Sequence, residues 1–371
     1  MSMKGIRRIQ YRQLLVLIIS WQVAAALVSL YDHFMIHTIF VTINEGLYSF
    51  SRYLLFNLVA ALLGSLTAGP LIIFWVNEKN LNWPYGRSIL LVVLMFLTIT
   101  TFLILLMGVP YIYYSTGIPP GDDRFWEHYH AYTFNLFQLK KHLVWAVIVA
   151  FTQFGLQMDR KFGHGVLWKI ILGQYHVPRE EYRAFMFADL KASTTIAETI
   201  GDVKYHLLLR EFFSDVTSAI INSSGSIYNY AGDQVIVSWT HPGNHCIQCF
   251  FDMKKSIEDK KDTYLQHFGL IPEFKAGLHA GKVIAGEIGV IKRDITYSGD
   301  VLNTTSRIQD KCNELEVQVI VSSELLANIQ LDPGYSAQYM GTMRLKGKKK
   351  EIGLHAITEN QSSRHEHYFK Y

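Results

Sequence analysis

Charge is scarce in this sequence: 18% of its 371 residues are Asp, Glu, Lys or Arg, half are hydrophobic, and the mean hydropathy is positive. That balance is foreign to a wholly soluble globular protein. Cysteine is scarcer still, with Cys246, Cys249 and Cys312 alone, which excludes a disulfide-stapled scaffold. Cys246 and Cys249 form a lone C-x-x-C beside His245, with no second pair to complete a zinc site, so they are expected to be small core residues on a helix. The formal net charge is only +4, and no basic cluster accompanies it, so there is no nucleic-acid footprint. Internal repeats, low-complexity stretches and a lipidation motif are absent as well.

The apolar excess is concentrated before residue 158. Four runs approach the roughly 20 apolar residues that a hydrocarbon core requires: 13–31, 53–76, 88–113 and a shorter one at 142–158. Lys4, Arg7, Arg8 and Arg12, then Lys79 and Arg87, then Arg160, Lys161 and Lys169 flank these runs on one side, whereas the third loop carries Asp122, Asp123 and Glu127. The positive-inside rule puts the N-terminus, the second loop and everything after the fourth run in the cytoplasm. No small-residue cleavage site follows the first run, so it is expected to stay as an anchor rather than leave as a signal peptide. Residues 1–158 are thus expected to be a four-helix transmembrane domain, 159–182 a coupling helix and linker, 183–360 a soluble domain and 361–371 a flexible tail. His33, His128, His130 and His142 fall toward the outer ends of the spans. They could hold a metal or haem, or belong with Phe125, Trp126, Tyr129 and Tyr132 to an interfacial belt.

Beyond residue 182 the periodicity is that of a mixed fold. AFMFADL (184–190) is an apolar run of buried-strand length that ends on Asp189, and the Ser and Thr of KASTT can cap a helix beginning near Thr195. A carboxylate beside a helix N-terminus suits a metal and its phosphate ligands, which makes Ser193 and Thr194 candidate substrate contacts. Leu208, Phe212, Val216 and Ile220 share one helix face. Residues 226–239 read as a hairpin whose tight Ala231-Gly232 turn puts Asp233 at the tip. A helix over 243–267 and glycine-rich strands over 273–289 follow, and then VQVIV (317–321), a strand before a Ser-capped helix. Strand, helix, strand, strand, helix, strand is the order of a ferredoxin-like α+β unit. Two carboxylates at strand ends, with Asn303 and Arg307 four apart on one helix face, form the set that a two-metal displacement at phosphorus needs.

From Ala184 to about His355 the sequence resembles the catalytic domain of class III nucleotidyl cyclases, of the bacterial membrane-anchored type. FADLKAST (187–194) and YAGD (230–233) look like the two metal motifs, GLHAGKVIAGEIG (277–289) like the glycine-rich hairpin, TYSGDVLNTTSR (296–307) like the signature helix, and LKGK (345–348) like the polyphosphate motif. The resemblance implies that Asp189 and Asp233 bind two Mg2+ or Mn2+ ions per site, Asn303 orients the ribose, Arg307 stabilises the transition state and Lys346 holds the polyphosphate. It also implies a homodimer in which the carboxylates of one protomer face Thr296, Asn303 and Arg307 of the other. The implied reaction converts ATP to 3′,5′-cyclic AMP and pyrophosphate at the bacterial inner membrane, under a signal sensed by the membrane domain, with no protein general base. Two positions depart from the family pattern: Asn229 stands where adenylate cyclases usually carry a Lys that contacts the base, and Thr296 is its partner. An amide donates and accepts, so GTP is the alternative substrate, and a nucleotide-binding regulatory receptor is the alternative class. The Gly-Gly-acidic-acidic-Phe turn of diguanylate cyclases is absent, since Gln234 and Val235 follow Asp233.

Overall fold

A computed structural model describes residues 4–38, 49–79, 83–163, 165–291, 293–344 and 351–360. The chain divides into two compact units, one running from Arg8 to His164 and the other formed in the main by the chain from Gly165 onward.

The first unit is helical. Among the described residues four stretches are long and apolar enough to cross a membrane: Gly5–Met35, Phe50–Lys79, Tyr85–Thr116 and Asp123–Phe162. They comprise α1 (Lys4–Thr38), α2 (Phe50–Pro70) with a π-helical turn (Leu71–Val76) and α3 (Asn77–Lys79), α4 (Tyr85–Thr116), and α5 (Asp123–Thr133) with α6 (Leu136–Phe162). The acidic third loop is therefore largely helix, because Asp122 caps α5 by accepting from the Arg124 amide at 3.0 Å. Leu17, Trp21, Ile72, Ile73, Val92, Phe96 and Val149 pack together, with the Trp21 ring edge-on to Phe96 and Trp145. Leu94, Phe102, Leu106 and Phe151 face outward, which suits lipid and not water. Several polar groups inside this unit are paired, although the Oε1 atoms of buried Gln153 and Gln157 have no hydrogen-bond partner among the described residues. Buried Asp32 accepts from the Tyr53 hydroxyl at 2.7 Å and the Lys140 ammonium at 2.6 Å, and Gln153 donates to Asn77 and Ser88. In a low-dielectric surrounding an unpaired member of such a set costs several kcal/mol, which is why these residues come in partners. His142 sits between the Gln138 carbonyl and the Thr101 hydroxyl, His128 meets the Arg124 carbonyl, and His33 and His130 lie against Phe50 and Phe134.

The second unit begins with α7 (Val166–Ile171) and is built on one eight-stranded sheet. Its elements are β1 (Arg179–Leu190), α8 (Ser193–Ile200), α9 (Asp202–Asn222), β2 (Ser226–Ala231), β3 (Gln234–Trp239), α10 (Asn244–Glu258), α11 (Lys261–Phe268) and β4 (Phe274–Ile288). Then come β5 (Asp294–Ser298), α12 (Asp300–Glu314), β6 (Val319–Ser322), α13 (Ser323–Leu326), β7 (Tyr335–Arg344) and β8 (Glu351–Glu359). The strand order is β2-β3-β1-β4-β6-β8-β7, with β5 paired to β4; among the described residues only β4/β6 is parallel. The β1-to-β4 portion is the expected βαββαβ unit.

Strand β1 reads as continuously apolar because both of its faces are covered. Ala184, Met186, Ala188 and Leu190 pack under α9 and α10 with Leu208, Phe212, Val216, Ile220, Cys246 and Cys249. Phe185 and Phe187 turn the other way, toward Val301 on α12. Period-2 alternation therefore sends Asp189 to the α12 side. Gly277 on β4 lets α12 approach closely, since a Cβ there would overlap the Gln309 backbone.

Candidate active site

Asp189 lies one residue from the end of β1, in register with Gln234 of β3 and Lys275 of β4. Asp233 stands in the two-residue Gly232-Asp233 loop between β2 and β3, with the positive φ of +66° on Gly232. The turn is thus one residue later than the expected Ala231-Gly232, because Ala231 still pairs with Gln234. The shift puts Asp233 in the loop itself, and its side chain comes within hydrogen-bonding reach of the Asp189 carboxyl.

Two carboxylates at that separation repel. Burial, and after it the charge of Asp233, pushes the Asp189 carboxyl up to about 6, while Lys275 and Gln309 act in the opposite direction. Lys275 is buried with its ammonium 3.8 Å from Asp189 Oδ2, and Gln309 on α12 donates to the same oxygen at 3.2 Å. Paired hard oxygen donors in a partly desolvated pocket fit Mg2+ or Mn2+, whose charge would offset the repulsion that two carboxylates cannot relieve alone.

Ser193 and Thr194 lie inside the first turn of α8 and not ahead of it. Ala192, at φ +52°, occupies the N-cap position and makes no side-chain cap. The first-turn amides therefore lack a capping oxygen, an arrangement suited to an anion. The Ser193 side chain lies beside the Tyr205 hydroxyl, and burial, with Asp233 next, raises the pKa of that phenol.

Asn303 and Arg307 are on α12, Asn303 exposed and Arg307 half-buried. Gln309 follows Arg307 by two positions, about 200° around the helix. Since Gln309 faces Asp189, the Asn303 and Arg307 face is directed away from the carboxylates of its own chain. One chain brings Asp189, Asp233 and Ser193 together and presents Asn303 and Arg307 elsewhere. Thr296 on β5 pairs with Gly286 and donates to its carbonyl at 3.4 Å. Asn229 is exposed on β2 at a bulge. Lys346 lies outside the described residues. Among the described residues no three His, Cys, Asp or Glu side chains form a metal-holding group, so the carboxylate pair needs further oxygens from a ligand.

Sequence reasoning missed Lys275, Gln309 and Tyr205. The signal for Lys275 was present, as a lone charge at a buried position of an otherwise apolar strand, FKAGLHA. For Gln309 and Tyr205 there was none.

Residues 176–359 match the family model of the adenylate and guanylate cyclase catalytic domain. Adenylate cyclase 2 of Rhizobium meliloti is 32% identical over 214 residues, which is 57% of this chain and 59% of that protein. Adenylate cyclase 1 of the same organism is 25% identical over 188 residues, 48% of this chain and 28% of that protein. The structure of a bacterial light-regulated adenylyl cyclase aligns with a TM-score of 0.50 at 21% identity, covering 61% of this chain and 66% of that one, a likeness of fold. The chain spans less than two thirds of the length of each of these proteins. Residues 176–359 are thus a class III adenylate and guanylate cyclase catalytic domain.

Proposed function

We propose that the protein is a membrane-bound adenylate cyclase that converts ATP to 3′,5′-cyclic AMP and pyrophosphate as a homodimer. The observation that carries this reading is the Asp189–Asp233 pair, backed by Lys275, with Asn303 and Arg307 turned to the other side of α12. Two copies related by a twofold axis would each complete the other's site. Exposed Ile284, Ile288, Val290 and Ile291 around the β4–β5 ribbon support a partner there.

In this mechanism Asp189 and Asp233 would hold two Mg2+ or Mn2+ ions, which supply Lewis acidity toward the ribose 3′-hydroxyl and the triphosphate oxygens. Asn303 orients the ribose, so that the 3′-oxygen faces the α-phosphorus with little left to organise. Arg307 stabilises the charge that builds on that phosphorus, and Lys346 accompanies the departing pyrophosphate. Ser193, Thr194 and the open α8 amides receive phosphate oxygens. Asn229 and Thr296 read the base edge. ATP is favoured by the two Rhizobium meliloti relatives, which are adenylate cyclases; GTP is the second reading, because an exposed Asn229 amide offers both a donor and an acceptor.

The domain scheme is 1–158 across the bacterial inner membrane, 159–182 as coupler, 183–360 catalytic in the cytoplasm and 361–371 a tail. The polar interior of the helical unit is where a signal would act. Cyclic nucleotide production by purified full-length protein, with ATP and GTP in parallel under Mg2+ and Mn2+, tests the reading. Cyclic AMP in excess is expected; cyclic GMP in excess reassigns the substrate, and nucleotide binding without product in any condition overturns the enzyme reading.

A further inference from the structure

The segment between α7 and β1 reaches the base-reading residues through a chain of buried side chains. Tyr175 is only 2% exposed although it lies in a linker. Its carbonyl accepts from the Glu287 amide on β4 at 3.1 Å, and the Lys169 ammonium of α7 stands over its ring. Its hydroxyl accepts from Arg183 Nη2 at 3.5 Å and lies close enough to the Tyr297 hydroxyl to act on it. Arg183 is itself a buried cation on β1, paired to Glu181 at 2.6 Å and stacked 4.6 Å over the Tyr297 ring. Tyr297 in turn packs against Tyr228, 5.0 Å between ring centres.

Position in sequence gives this stack its meaning. Tyr297 follows Thr296, and Tyr228 precedes Asn229. Pro178 of the same linker closes on the other partner of Thr296: a Cβ on Gly286 would lie 3.3 Å from Pro178 Cγ, and Gly286 is the residue that pairs with Thr296 and accepts its hydroxyl. A side chain held by its own backbone ladder alone would not need a buried guanidinium and three aromatic rings behind it. A buried cation loses much when one partner goes, so the stack is held in one arrangement.

Resting on the nucleotide-cyclase reading above, we infer that Tyr175, Arg183 and Tyr297 are positioning residues for the base edge, which couple the docking of the 174–178 linker to the placement of Thr296 and Asn229. A shift of the linker then changes purine affinity and selectivity with the carboxylate site left intact. None of the three touches the reacting atoms, so the effect falls on KM and on the ATP-to-GTP ratio more than on kcat.

The test uses the full chain and compares wild type with Tyr175→Phe, Tyr297→Phe, their double variant and Gly286→Ala. Binding of fluorescent ATP and GTP analogues, turnover, and Tm are read together. Each Phe variant keeps its ring and loses its hydroxyl, Tyr175→Phe taking with it the bond from Arg183; the expected result is a three- to tenfold change in the ATP-to-GTP binding ratio, about what one hydrogen bond is worth. The double variant should change it by less than the two single changes combined, since both hydroxyls belong to one contiguous stack around Arg183. Gly286→Ala should move the ratio by pressing on Pro178 without touching the stack. An unchanged ratio in all variants, or a ratio that holds while kcat and Tm fall together, overturns the inference. Binding without turnover in wild type would sink the enzyme reading alone, because the ratio of affinities still reports on the linker; binding of neither nucleotide would overturn both.

Discussion

Replacing Asp189 by Asn should make the metal-free protein more stable at neutral pH while abolishing its activity. In the folded chain the Asp189 carboxyl is pushed from 3.8 to about 6 by burial and by Asp233. A raised carboxyl means that the folded state holds a proton the unfolded state has lost. Stability therefore falls as pH rises from about 4 to about 6 and stays reduced above that window. A shift of about 2 pKa units corresponds to about 3 kcal/mol. The side chain is 22% exposed, and solvent screens part of the repulsion, so about half of that, ~1.5 kcal/mol, is the working figure. For a domain of this size it amounts to about 3–6 °C in Tm. Asn keeps an oxygen to accept from Gln309 and removes the charge. Thermal unfolding of the full chain with chelator, at about pH 4 and about pH 7.5, reads the effect. The Asn variant should gain those degrees at the higher pH and little at the lower, and Mg2+ with ATP should stabilise wild type alone. If the Asn variant were no more stable than wild type at the higher pH without metal, the carboxylate-repulsion account of this site would be wrong.

Three further outcomes are expected. Gly277→Ala drives a methyl into the Gln309 backbone and should lower stability by about 2 kcal/mol or more, read as a drop in Tm together with lost activity as α12 lifts from β4. Asp189→Ala and Arg307→Ala should each be inactive, yet mixed and co-refolded subunits should recover about a quarter of wild-type activity, since half the dimers are mixed and each has one intact site; no recovery would show that the site is not shared. The thiols of Cys246, Cys249 and Cys312 are pushed up to about 12 by burial, so a maleimide should label them only after denaturation.

Elements that draw their signal from nearby residues were legible. The α9 face of Leu208, Phe212, Val216 and Ile220 is buried as its spacing foretold, and Ser322 caps α13 by accepting from the Leu325 amide at 3.2 Å. The hairpin tip slid by one residue, because turn chemistry alone admits either Gly232 position and the pairing of Ala231 with Gln234 decides between them. Ser and Thr before α8 suggested a cap, whereas Ala192 takes the left-handed conformation and leaves them inside the helix. The β7–β8 hairpin was not foreseen at all, its strands being half-exposed and weakly patterned.

The sequence by itself determined the division into an apolar helical half and a mixed half, the order of the elements, and the residue types of the candidate site. Each depends on patterns within a few residues, where periodicity and motif spacing act. Only the tertiary structure decided which groups meet. Lys275 and Gln309 join Asp189 from 86 and 120 positions away along the chain, by strand register and by a helix seated over Gly277. The same seating turns Asn303 and Arg307 from the carboxylates, and Arg183 collects Tyr175 from the linker and Tyr297 from β5. Such meetings are non-local: they follow from how sheet and helices share one core, which no short stretch of residues encodes.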